Sequence, residues 1–204
     1  MEYLFFLSLC WCIWITATFL MDKTHPLRLK LSLVSLLLCI GAHKFITFAH
    51  VKVSLSYLLL AAAGCYSARQ YRIIELFSLS LSALMTAMIF AGMKLCEMYE
   101  RAWFFVDVKW YITSLVLFIQ FAVYPQSSVW KKRMISAFMG FLAGEWFLYM
   151  VLSQVSIPYK MGDSWFLDFF AFSVLVMAAS YKWGTFKYLF QDKSLSAKEK
   201  QTYE

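Results

Sequence analysis

Apolar residues along this chain arrive in long blocks, not singly at the intervals of an amphipathic helix or a half-buried strand. Seven blocks can be drawn, at residues 3–21, 30–49, 52–68, 73–93, 104–124, 134–153 and 165–184. Each is near the ~20 residues an α-helix needs to cross a bilayer. Short polar stretches rich in Lys and Arg divide them. The slightest division is at residues 49–51, marked by His43, Lys44, His50 and Lys52. Pro26, Pro125 and Pro158 fall at block ends or in connections, where a missing N–H costs nothing, and no proline interrupts a block. The pattern predicts an all-α, polytopic transmembrane bundle of seven helices over residues 1–190. A polar, lysine-rich tail over residues 191–204 follows it.

Composition agrees with a chain built for lipid. Of 204 residues, 62% are hydrophobic and only 15% charged, too little charge for a soluble domain of this size. Lys and Arg outnumber Asp and Glu by 19 to 12, but they cluster between the apolar blocks, where orientation signals belong. With the amino terminus outside, the inner segments hold thirteen Lys and Arg and the outer segments six. That asymmetry predicts the amino terminus out and the carboxyl terminus and tail in the cytoplasm. Trp103, Trp110 and Trp165 fall near outer block ends, and Trp130 and Trp183 near inner ones, as interfacial belts do. Trp11, Trp14 and Trp146 lie deeper and need partners or an irregular surface. Glu2 and the sequence at 21–23 lack the basic start and small-residue cleavage site of a signal peptide, so the first block is expected to be retained.

Several chemistries lack their signatures. No nucleic-acid motif, phosphate loop, zinc signature or nucleophile elbow occurs, so neither a cofactor nor a metal nor a nucleic-acid partner is expected. A retinal protein needs a lysine in the middle of its last helix, and the last block has only Lys182 at its edge. The five cysteines read as small packing residues, not as disulfides or ligands.

Two kinds of candidate remain. The first is small-residue stripes that let helices approach closely in lipid: Ser136, Gly140 and Gly144 in the sixth block, and Ser78, Ser82 and Thr86 in the fourth. They suit packing within the chain or a dimer seam. The second is Glu145, 12 residues past Arg133 and so about 18 Å along a helix, a little beyond the bilayer midplane. An ionisable group there is costly and faces the bundle interior. Depth matching offers His43, Lys44 and Lys109 as partners. The arrangement reads either as a structural pair or as a proton or cation site. Asp107 and Asp168 are expected to reach interfacial water, and Glu75 to pair with Arg72.

The run Trp11-Cys12-Ile13-Trp14-Ile15-Thr16-Ala17-Thr18-Phe19-Leu20-Met21, followed by a short basic loop ending Pro26-Leu27-Arg28-Leu29-Lys30, resembles the start of the YphA-like membrane proteins of Bacillus and relatives. That resemblance implies a small multi-pass protein of a bacterial plasma membrane and brings no site residues with it. Function stays open between three classes: a structural or assembly component of a membrane process, a small proton- or cation-coupled transporter or channel centred on Glu145 with His43 or Lys44, and a membrane enzyme. The expected partners are the lipid bilayer and either other membrane proteins or a second copy of the chain.

Overall fold

A computed structural model describes residues 3–22, 27–48, 51–100, 105–124, 130–155 and 157–182. It is an all-α bundle of seven helices among the described residues, crossed at one end by a small sheet. The helices are α1 (Leu4–Ile15, continued by a π-helical turn Thr16–Leu20), α2 (Leu27–Gly41), α3 (Leu55–Ala68) and α4 (Ile73–Tyr99). They continue with α5 (Val108–Val123), α6 (Trp130–Gln154) and α7 (Ser164–Lys182). Three of them, α4, α6 and α7, are long and apolar enough to cross a membrane. In hydrocarbon every backbone N–H and C=O must be satisfied within the chain, which is why apolar blocks of this length become helices. Pro26, Pro125, His25, His50, Trp103, Trp183 and the tail 191–204 lie outside the described residues.

The second block departs from expectation. Its helix stops at Gly41, and residues expected to be helical to 49 instead enter a hairpin, β1 (Phe45–Phe48) against β2 (Val51–Ser54). Phe45, Ile46, Val51 and Val53 are the aromatic and β-branched residues that favour a pleated strand. A third strand, β3 (Lys160–Met161), lies parallel to β2, with Lys52 opposite Lys160 and Val53 opposite Met161. These strands form a cap over one end of the bundle. β2 runs directly into α3, whose first turn is closed by the Ser54 hydroxyl accepting from the Tyr57 N–H at 3.2 Å.

At the opposite end the π turn widens α1 and loosens its last carbonyls. The Arg28 guanidinium donates to the Ala17 and Thr18 carbonyls at 3.2 and 2.9 Å, satisfying them with a positive charge where the helix dipole is negative. Glu75 accepts from Lys132 of α6 at 3.0 Å, so its ion pair ties α4 to α6 where the sequence suggested Arg72.

The principal seam is α4 against α6. A Cβ built on Gly140 would stand 2.5 Å from the Thr86 Cβ and 2.8 Å from the Ala83 carbonyl oxygen, and one on Gly144 2.7 Å from Phe90. Only glycine fits, so the two backbones come nearly into contact. Beside Gly140 a buried polar network joins three helices. Gln120 of α5 donates through Nε2 to Thr86 at 3.1 Å and Ser136 at 3.3 Å. Ser136 donates to Ser82 at 2.8 Å, and Ser82 to the side-chain Oε1 of Gln120 at 3.4 Å. Ser78 adds a 3.4 Å contact with the Tyr124 hydroxyl. Both small-residue stripes thus face each other inside one chain. Next to them Phe90, Phe141, Phe166 and Phe169 are all buried and pack edge to face.

Candidate functional site

Glu145 is fully buried on α6, and what meets it is a connection, not a helix. Residues Pro158 to Asp163 fold back over the end of the bundle. From that loop the Tyr159 hydroxyl donates to Glu145 Oε1 at 3.0 Å and the Gly162 N–H donates to the same oxygen at 2.9 Å. Burial holds the Tyr159 phenol well above its ordinary range, and the adjacent Glu145 pushes it the same way, so the phenol keeps its proton and stays a donor. Glu145 Oε2 is buried with no hydrogen-bond partner among the described residues.

Gly162 makes this geometry possible. Its φ of +70° is left-handed, and a Cβ there would stand 2.4 Å from the Ser54 hydroxyl and 2.6 Å from the Tyr57 Cβ. The loop therefore wedges between Glu145 and the start of α3. Tyr57 completes the junction by donating its hydroxyl to the Leu142 carbonyl at 2.9 Å, one turn before Glu145. Gly162→Ala is expected to lose about 1–2 kcal/mol from backbone strain alone and more from the two clashes, measured as a lowered unfolding midpoint in micelles. Unchanged stability in that variant would show that the loop does not hold the left-handed turn.

The expected partners of Glu145 sit elsewhere. His43 follows the end of α2, is exposed, and packs edge-on to Tyr3 with ring centroids 4.6 Å apart. Lys44 is exposed beside it, its carbonyl accepting from the Leu55 N–H at 2.9 Å. Lys109 lies at the start of α5, with its ammonium 5.8 Å from the centre of the Trp165 ring. The depth matching that joined His43 and Lys44 to Glu145 assumed a helix through residue 49, and the helix ends at Gly41; Lys109 is in the first turn of α5, where its ammonium meets Trp165.

Three aspartates at this end share one local role. Asp168 is buried, not bathed in interfacial water, and its Oδ1 accepts from the Phe6 N–H at 2.9 Å, closing the first turn of α1 from α7. Asp163 accepts from the Trp165 and Phe166 N–H groups at 2.6 and 3.3 Å, and Asp107 from the Lys109 N–H at 3.1 Å. Each places a negative charge at the positive end of a helix. Sequence reasoning missed Tyr159 and Gly162. The signal for them was the run Gly162-Asp163-Ser164 ahead of an apolar block, a turn glycine followed by a helix cap.

Cavities lie to either side. A charged cleft of about 670 Å³ opens at the cap end, lined by Lys94, Glu97, Asp107, Lys109 and Trp165. Lys94 is 2.7 Å from Glu97 and 3.4 Å over the centre of the Trp165 ring, so the charges facing the cleft are already partly matched. An apolar slot of about 280 Å³ lies between α1, α3, α6 and α7. Glu145 lines neither. Among the described residues no group of three His, Cys, Asp or Glu is placed to hold a metal ion.

No curated protein and no solved structure matches the chain. A family model for YphA-like integral membrane proteins matches residues 2–203, nearly the whole sequence. This apolar bundle, closed at one end by a sheet and a buried carboxyl, therefore belongs to the YphA-like integral membrane protein family.

Proposed function

We propose that the protein is a multi-pass component of the cell membrane that serves a membrane process as a structural or accessory member. The observation that carries this reading is the engagement of Glu145. The ionisable side chain most suited by depth to handle an ion accepts two hydrogen bonds from a wedged loop and lines neither cavity at its sides. Around it the interior is filled by phenylalanines and a closed Gln120 network. The excess of Lys and Arg in alternate connections supports the amino terminus outside and the carboxyl terminus in the cytoplasm.

One observation favours the transporter reading: Glu145 Oε2 is buried without a partner. Flux separates the two. Purified protein in sealed vesicles loaded with a pH-sensitive dye is expected to dissipate an imposed proton or sodium gradient no faster than empty vesicles. A leak that the protein creates and Glu145→Gln abolishes would overturn the accessory reading. Reporter fusions at both ends test the orientation, with opposite sides expected.

A further inference from the structure

The apolar slot has the shape and setting of a site for one lipid chain. On α6 its lining runs from Met134 to Phe141, and on α7 from Phe170 to Met177. Seven residues of helix span about 10 Å, so the slot extends about that far along α6 and α7. Its polar contribution is small, and the Ser67 hydroxyl on its wall is already bonded to the Ala63 carbonyl at 2.8 Å. Ala63 is exposed at the rim, so the slot is open to its surroundings. In an integral membrane protein those surroundings are hydrocarbon tails. A void of about 280 Å³ left empty would forfeit the dispersion contacts of its whole lining, and an apolar void holds no water.

Charge says which lipid. Met134, Phe138 and Phe141 form one stripe of α6, and Lys131 extends that stripe by a turn past the end of the slot. Lys131 is exposed. The same end of the bundle carries Arg69 and Arg72 beyond α3 and Lys182 at the end of α7. Of the acids there among the described residues, Glu75 is held by Lys132, and Asp22 follows the π turn of α1. Trp130 stacks on Tyr181 at 4.5 Å at this level, an aromatic pair of the kind that sits among headgroups. A basic rim above an apolar slot matches an anionic headgroup joined to an acyl chain. We infer that the slot between α1, α3, α6 and α7 binds an acyl chain of an anionic phospholipid, with Lys131 at its headgroup. The inference rests on membrane embedding and not on the accessory role.

The test places the full-length protein in phosphatidylcholine vesicles containing a trace of phosphatidylglycerol with a photoactivatable diazirine in its acyl chain. After illumination, labelled peptides are mapped by mass spectrometry. Labels are expected to concentrate on the slot walls of α6 and α7, and unlabelled phosphatidylglycerol should compete about fivefold better than phosphatidylcholine, the effect of one lysine near an anionic surface. Ala63→Phe fills the rim and should remove the slot labels while leaving those on the outward Phe77 and Met88 of α4 unchanged, which reports an intact fold. If that control moves, Ser67→Phe is read by the same criterion. Lys131→Gln should keep the slot labels and lose the headgroup preference. Labels spread evenly over outward faces, slot labels indifferent to headgroup, or slot labels untouched by a folded slot-filling variant would each overturn the inference.

Discussion

Glu145→Ala is expected to lower stability by about 3–5 kcal/mol, because it strands two buried donors, the Tyr159 hydroxyl and the Gly162 N–H, at ~1–3 kcal/mol each. Glu145→Gln keeps a carbonyl oxygen for both donors and should stay within about 1 kcal/mol of the parent. The two variants therefore separate a positioning role from a need for the acid itself. Reversible unfolding in mixed micelles gives the energies. Limited proteolysis gives the place: in the alanine variant cleavage should rise first between Pro158 and Asp163, the segment the carboxyl clamps. Alanine and glutamine variants of equal stability would remove Glu145 from any account of how the cap is held.

The second large effect is expected at Gly140. Its added side chain meets the Ala83 carbonyl, which belongs to a helix backbone and cannot turn aside. Gly140→Val should cost at least the upper end of the ~1–3 kcal/mol typical of overpacking, with the Gln120 network disturbed as well. Gly92 supplies the control. It lies in the same helix as Ala83, and a Cβ there meets nothing within 4 Å. Gly92→Ala should stabilise by ~0.5–1 kcal/mol through helix propensity alone. Opposite signs at the two glycines, read as shifts in unfolding midpoint, are the expected result. Equal and small effects would show that α4 and α6 do not approach as closely as the seam requires.

The helical part of this fold was legible because apolar blocks of bilayer length admit few other solutions. Gly140 and Gly144 were legible for a related reason: small residues at four-residue spacing mark a face where two backbones meet. The cap was not. Phe45–Phe48 and Val51–Ser54 are short apolar runs, and a window wide enough to find a helix merges them with α2 and α3. That merger carried His43 and Lys44 into the bundle on paper, when the end of α2 at Gly41 leaves both exposed. Glu145 was found because its depth depends only on α6 being continuous, which it is. Its partners were missed because a search by depth looks only at helices, and both donors come from a connection.

The strand register makes the order of synthesis matter. β2 and its partner β3 are separated by more than 100 residues, and Glu145 leaves the ribosome before Tyr159 and Gly162, the groups that satisfy it. A chain cut short between Gln154 and Tyr159 lacks both donors to Glu145 and the strand that pairs with β2. Residues 159–162 supply the two donors and the paired strand together. Truncation in that window is thus expected to hand the chain to membrane quality control, whereas truncation after α7 should leave it resistant.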